Sequence, residues 1–305
     1  MGRKSVRTIR FGWLGVVAAV GYAGGAFGQQ DFSSVQIETV PVADGLYMLV
    51  GAGGNIALST GDDGTVIVDT QFAPLTEKIS AAIRAAGGGD VAFVINTHWH
   101  GDHTGGNENF GNAGAAIIAH NNVRVRMSSQ QTIAALNQTV PPSPAAALPV
   151  LTFPDRATFH WNGNTVNVFH VPSAHTDGDS IVHFTNLNVF HMGDTFFNGG
   201  YPFIDVSSGG SIDGVIAAAE AVLARSDSGT KIIPGHGPLA TPDDLRSFLD
   251  VVRAARERIQ SLIDQGRSED EVVAARPTAE WDAQWGGGFM NGETFTRLAY
   301  QSLRR

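Results

Sequence analysis

One loop constrains this chain more than any other stretch: Thr97-His98-Trp99-His100-Gly101-Asp102-His103-Thr104-Gly105-Gly106, directly after the apolar run VAFVIN at 91–96. Three imidazoles and a carboxylate fall within six residues there. A regular helix or an extended strand would aim them in different directions, whereas a glycine-flanked loop at a strand end lets them converge on one point. Imidazole nitrogen and carboxylate oxygen suit Zn²⁺, and four such groups exceed what one open catalytic zinc site draws from so short a loop. The surplus points to two metals sharing it. The chain has no Cys, which excludes thiolate zinc sites, iron–sulfur clusters, disulfides and a thiol nucleophile. Any metal must rest on the ten His and on carboxylates.

The remaining sequence reads as strands alternating with helices. QIETV, GLYMLV, NIALST and TVIVDT read as four strands at short spacing, with Gly-Asp-Asp-Gly at 61–64 as a tight turn. A helix is expected from Ala73 to Ala86, a strand at 115–119 and a helix from Asn121 to about Gln130. Residues 131–154, with Pro141, Pro142, Pro144 and Pro149, read as a surface excursion bordering the site. A second set follows: ATFHW and TVNVFHV as a hairpin around Asn162-Gly163-Asn164, then SIVHF and NVFHMGD, a helix at 212–225 and the strand TKIIP. Two β-rich halves, each closing in helices, suggest sheets inside and helices outside. A capped helix from Thr241 closes a main domain over 29–265, and a helical appendix at 266–305 completes the chain.

Three further candidates fall at element ends: His175 after the strand ending at Val171, Asp194 closing NVFHMGD, and His236 in Pro234-Gly235-His236-Gly237. Side chains emerging from loops after strands describe a site at one edge of a sheet sandwich. These motifs, in this order, resemble those of the metallo-β-lactamase fold superfamily over roughly residues 35 to 250. The resemblance implies an α/β (α+β) fold, a four-layer αββα sandwich. It implies two Zn²⁺ per chain, the first on His98, His100 and His175, the second on Asp102, His103 and His236, with Asp194 bridging. It also implies that Asp69, at the end of Val-Ile-Val-Asp, braces the metal loop, and that a hydroxide between the metals is the nucleophile. Asp102 would orient that nucleophile and pass a proton to the leaving group.

The same resemblance leaves the substrate open. One β-lactamase subclass places a Cys where this chain has Asp194, and another lacks the bridging carboxylate; the full set is more like that of glyoxalase II, lactonases and phosphodiesterases of the fold. Export points the other way. Met1 to Arg10 is basic, FGWLGVVAAVGYAGGAFG is apolar, and Gln29-Gln30-Asp31 is polar, which is the order of a cleavable signal peptide over residues 1–28. An uncleaved anchor would need ~18–20 unbroken apolar residues. The expected location is the periplasm or the exterior, with no membrane span in the mature chain. The leading expectation is therefore a zinc hydrolase that opens a β-lactam or a similar cyclic amide or ester. Next comes a broad ester, lactone or phosphoester hydrolase, and third a non-catalytic metal- or partner-binding module.

Charge narrows the partners. Of the 20 Lys and Arg, four lie in residues 1–28, leaving 16 against 29 acids, an acidic balance that argues for a small-molecule substrate and against nucleic acid. Asn198 and Tyr201, shortly after Asp194, are candidates for polarising a substrate carbonyl. Trp99 reads as packing or rim, and His120, His160, His170, His183 and His191 as structural. Trp281, Trp285, Phe289 and Phe295 either pack on the domain or dock a partner, with packing the expected role of large apolar side chains.

Overall fold

The fold follows from a two-residue alternation that sorts each strand's side chains between two different cores. The computed structural model describes residues 31–305; the expected signal peptide at 1–28 lies outside them. In chain order the elements are β1 (Glu38–Ala43), β2 (Leu46–Val50), β3 (Ile56–Ser59), β4 (Thr65–Val68), α1 (Thr76–Ala85), β5 (Val91–Ile95), α2 (Gly101–Thr104), α3 (Asn107–Asn112), β6 (Ala116–His120) and α4 (Asn121–Met127). There follow β7 (Gln131–Ile133), β8 (Gln138–Val140), β9 (Leu151–Phe153), β10 (Arg156–Trp161), β11 (Asn164–His170), β12 (Ser180–Phe184), β13 (Val189–His191), α5 (Ile212–Leu223) and β14 (Lys231–Ile233). The chain ends with α6 (Pro242–Asp264), α7 (Glu269–Ala274), α8 (Asp282–Trp285) and α9 (Gly292–Leu303).

Two sheets face each other. The first has the order β1-β2-β3-β4-β5-β6-β9 and the second β10-β11-β12-β13-β14. Met48, Ala57, Val66, Val68 and Ile95 of the first meet Val166, Val168, Val182, Phe184 and Ile233 of the second in a central core. Their neighbours Leu49, Ile56, Leu58, Ile67 and Val94 point the other way, onto Ile79 and Ile83 of α1 and Phe110 of α3. On the far side, Ile181, Phe190 and Ile232 pack with Val215 and Val222 of α5 and Phe248 and Val252 of α6. Three cores between four layers make the αββα sandwich that the sequence implied.

Residues 131–154 depart from the expectation of a surface excursion. Gln131–Ile133 and Gln138–Val140 form a small antiparallel hairpin, and Leu151–Phe153 pairs in parallel with β6 as the last strand of the first sheet. The prolines sit between these pieces, where no ladder donor is needed. The expected helix over 121–130 stops at Met127, and the C-terminal segment is helical. Val272, Trp285, Phe295 and Leu298 of that segment are buried in the same core as α5 and α6.

Strand direction gathers the site. β4, β5 and β6 run parallel, so the loops after β4 and β5 leave at one edge. In the second sheet β11 is antiparallel to β12 and β12 to β13, while β13 and β14 are parallel, so β11, β13 and β14 all end at a common edge. The two edges are joined: Ser180 N donates to Thr97 O at 2.8 Å, and Asn55 Nδ2 donates to Pro234 O and Gly237 O at 3.0 and 2.9 Å.

Candidate metal centre

His98, His100, Asp102 and His103 come from the loop after β5 and the first turn of α2, His175 from the β11–β12 loop, Asp194 from the turn after β13 and His236 from the turn after β14. All seven meet. Donor atoms of His98, His100 and His175 lie within 4.8 Å of one another, as do those of His98, His103 and Asp194, and those of Asp102, His103 and His236. Asp194 stands between the groups. Its Oδ1 is 3.0 Å from His103 Nε2 and 3.4 Å from His236 Nε2, and its Oδ2 is 3.6 Å from His175 Nε2.

Each deep imidazole is anchored through the nitrogen that faces away. His175 Nδ1 donates to Phe203 O at 2.6 Å, His100 Nε2 to Asp205 Oδ2 at 3.0 Å and His103 Nδ1 to Asp69 Oδ2 at 2.8 Å. Thr97 Oγ1 donates to Asp69 Oδ2 at 2.7 Å, so His98 Nδ1, 3.0 Å away, supplies the hydrogen of its own bond to that hydroxyl. The opposite nitrogens of all four rings face inward, toward the other donors of the centre. His175 Nε2 and His100 Nδ1 lie 2.8 Å apart, and His98 Nε2 is buried with no hydrogen-bond partner among the described residues. Two ring nitrogens at that spacing need a cation, a proton or a metal ion, between them. The donor set fits a metal, and the anchoring bonds fix both tautomer and ring orientation for it.

The two ends of the centre differ electrostatically. Burial, then the neighbouring His103 and His175, hold His98 well below its ordinary pKa, and burial lowers His175 to about 4. These rings stay neutral at pH 7, as metal ligands must be. At the other end burial works to lower His103 and His236, but Asp194 and Asp102 outweigh it, leaving His103 well above its ordinary value and His236 raised to about 9. Burial likewise opposes ionisation of Asp102, yet His103 and His236 bring it down to about 2. A metal entering at this end displaces protons.

Asp69 lies where the sequence reading set it. It is fully buried, with a left-handed φ of 68°, and accepts from Thr97 N at 2.8 Å as well as from Thr97 Oγ1 and His103. Tyr201 is a correction: the ring is 1 % exposed and stacks on Phe295, and its hydroxyl donates to Thr278 O or Asp282 Oδ1, 3.2 and 3.0 Å away. An apolar stretch followed by a helical tail buried it, so it has no free group for a substrate carbonyl. Asn198 spends its amide on Pro238 O at 3.0 Å and holds the His236 turn through Asn198 N to His236 O at 2.9 Å. Trp99 is a core residue. His120 and His170 stack at 3.7 Å, His183 stacks on Phe190, His191 holds Asn55 O, and His160 is exposed on β10.

Several supporting residues escape the sequence reading. Asp205 accepts from His100, Ser207 and Ser208; burial opposes its charge, but the bond from His100 and its charge outweigh that and hold the carboxyl well below its usual range. An acid within the apolar run YPFIDV was the available signal, because a buried acid needs partners. Asp179 shapes the His175 loop by accepting from Thr176 N and Oγ1, and burial pushes its carboxyl up to about 8. Nothing in its sequence setting marks that role.

With the geometry in place, comparison with known proteins decides the family. The sequence signature of the metallo-beta-lactamase superfamily matches residues 50–239, a stretch that holds all seven converging side chains. The chain belongs to the metallo-beta-lactamase superfamily. Members of that superfamily usually use zinc, and the converging His and Asp groups could hold metal. A hydroxyacylglutathione hydrolase from Nitrosococcus oceani is 29 % identical over 164 residues, covering 53 % of this chain and 55 % of the relative, so the match spans about half of that protein's length. Another from Polaromonas sp. is 27 % identical over 234 residues, covering 75 % of this chain and 76 % of the relative. A solved metallo-beta-lactamase from Pontibacter korlensis has a TM-score of 0.57 at 18 % identity, over 72 % of this chain and 99 % of that one, a likeness of fold.

Proposed function

We propose that this chain is a dizinc hydrolase that cleaves carboxylic esters and thioesters, open or cyclic, by attack of water on the carbonyl carbon. The position of Asp194 carries the two-metal reading: its two oxygens reach toward His175 on one side and toward His103 and His236 on the other. His98, His100 and His175 would hold one ion, Asp102, His103 and His236 the second, and Asp194 both. Zinc bound there would supply a water whose pKa falls toward ~7 and a Lewis acid for the carbonyl oxygen. Asp102, ionised at neutral pH, accepts the proton of the attacking water and returns it to the departing alkoxide or thiolate. Its side chain is 29 % exposed and that of His236 is 32 % exposed, so substrate enters on their side of the centre.

The hydroxyacylglutathione hydrolases among the relatives support an ester or thioester ahead of the β-lactam that the sequence reading put first. The residue 1–28 pattern supports a periplasmic or secreted enzyme; N-terminal sequencing of the protein recovered from outside the cytoplasm should begin at or near Gln29, and an intact Met1 would refute export.

A substrate panel on zinc-loaded protein tests the main reading, comparing an aryl ester, a thioester, a lactone, a chromogenic cephalosporin and a bis-aryl phosphate. The ester or thioester should show the highest kcat/KM, with two zinc ions per chain by elemental analysis. A cephalosporin or phosphate turned over faster than any ester, or a single tightly held zinc at full activity, would overturn it. Asp102→Asn should keep the far-UV circular dichroism spectrum and lose about 10²-fold or more in turnover.

A further inference from the structure

Each of the two large sheets ends in two outer strands, β1 and β9 in the first and β10 and β14 in the second. Three of these edges are closed to further pairing. β1 carries Glu38, Pro41 and a register shift between Pro41 and Ala43, and β9 is three residues long between Pro149 and Pro154. β14 is covered where Ile232 and Ala240 exchange backbone hydrogen bonds of 2.9 and 2.8 Å. Charge, proline, bulges and covering segments are the devices that keep an edge from pairing with another chain. β10, Arg156–Trp161, has no proline, no register shift and no strand on its outer side among the described residues.

The pairing with β11 shows which backbone groups of β10 are left over. His170 N donates to Asp155 O at 2.8 Å, so these two face each other as a hydrogen-bonded pair. With a period of two, Ala157, Phe159 and Trp161 exchange bonds with Val168, Val166 and Asn164. Arg156, Thr158 and His160 therefore turn N–H and C=O away from β11, where no strand meets them. The side chains of these three are exposed, whereas Ala157, Phe159 and Trp161 turn inward. A cleft of about 390 Å³ lies between β10 and Phe93, Ile118 and Leu151 of the first sheet, and Leu151 is 51 % exposed.

We propose that β10 is the interface of a symmetric dimer, in which it pairs antiparallel with β10 of a second copy of this chain. The free groups fix the register. With Thr158 facing the partner's Thr158, Arg156 faces the partner's His160 and the reverse, and about six main-chain hydrogen bonds use every free N–H and C=O of the three residues. The side chains agree on both faces: inside, Ala157 faces the partner's Phe159, small against large over the cleft, and outside two threonines meet, a favourable cross-strand pair. Charge agrees as well. Arg156 stands about 7 Å along the strand from the partner's Asn162. Asp63 Oδ2 accepts from Asn162 N at 2.7 Å, so the guanidinium of each copy comes beside the Asp62-Asp63 turn of the other. Asp155, one residue earlier, alternates to the opposite face. The pairing leaves both metal centres open, because Trp161 Nε1 donates at 3.4 Å to Gly64 O, before β4 and at the far end of that strand from Asp69.

Sedimentation equilibrium and amide hydrogen exchange on the zinc-loaded protein, each over a range of chain concentrations, test the pairing. The parent should dimerise with a Kd on the order of 10 μM, the weak end expected of a small interface. The amides of Ala157, Phe159 and Trp161, bonded to β11, should be protected at every concentration. Those of Arg156, Thr158 and His160 should exchange fast in dilute protein and become protected as the dimer forms. Thr158→Pro removes an N–H that faces away from β11, so it should keep the fold and the melting profile of dilute protein while raising Kd at least tenfold. Arg156→Glu should raise Kd severalfold, and Val125→Ala, a surface control on α4, should not move it. A parent that stays monomeric, or a dimer that survives Thr158→Pro unchanged, would overturn the proposal. So would protection of Thr158 and His160 in the dilute monomer, which would mean that another part of the same chain covers the edge. Should Thr158→Pro misfold, the concentration dependence of the Thr158 and His160 amides in the parent decides alone.

Discussion

His100 depends on a residue more than a hundred positions downstream: Asp205 Oδ2 takes its Nε2 hydrogen and so leaves Nδ1 free to face His175. The same carboxylate accepts from Ser207 Oγ and Ser208 N, three donors in all. Asp205→Asn keeps the shape but offers one acceptor oxygen and an NH₂ that must face a donor, so one of those bonds fails. Its zinc affinity should drop about 10- to 100-fold with an unchanged melting profile of the chelated protein, as chelator competition would show. Unchanged affinity would mean that packing on Phe203 alone orients His100. The seven converging residues were legible in sequence because they sit at strand ends among glycines or small residues, in an order that resembles a known family's. Asp205 and Asp179 were not, because each acts through a bond that only the folded chain brings about.

At the scale of elements, the turn after β14 shows how closely the two sheets' loops approach one another. Gly235 N donates to Gly193 O and Phe196 O, and a Cβ at Gly235 would stand 2.1 Å from Asp194 Oδ1 and 2.6 Å from the Gly193 backbone. Glycine is needed there for space. Gly235→Ala must push Asp194 away from both groups of His, so zinc stoichiometry and activity should fall together; Gly229→Ala, where the nearest atom would be an ordinary 3.4 Å away, should leave both intact. Parent-like zinc content in Gly235→Ala would show that the Asp194 turn yields without losing its ligand position. The strands leading into these turns were readable from two-residue alternation, and the Asn162-Gly163 turn from its residues, which take φ of 49° and 70° as a two-residue hairpin turn requires. β7, β8 and β9 were not, because three-residue strands among prolines carry too little pattern; their partners, each other and β6, are what hold them.

Across the whole molecule, the question is whether residues 266–305 are an appendage. Their helices lie on α5 and α6, and Trp285 reaches Phe248 with centroids 6.1 Å apart while Phe295 stacks on Tyr201 at 4.9 Å. The Tyr201 hydroxyl has Thr278 O and Asp282 Oδ1 within hydrogen-bond reach, so the tail satisfies a polar group of the loop that borders the metal centre. Removing the tail would expose Tyr201 and Phe248 and strand that hydroxyl. Uncovering Tyr201 and Phe248 forfeits about 1.5–3 kcal/mol each, together about 3–6 kcal/mol, a large part of the ~5–15 kcal/mol margin of a folded domain. Truncation after Gln265 should therefore give a chain that is insoluble, or that binds a hydrophobic dye and melts without a cooperative transition. A truncated chain that melts within a few degrees of the parent and keeps its zinc would make the tail an appendage after all.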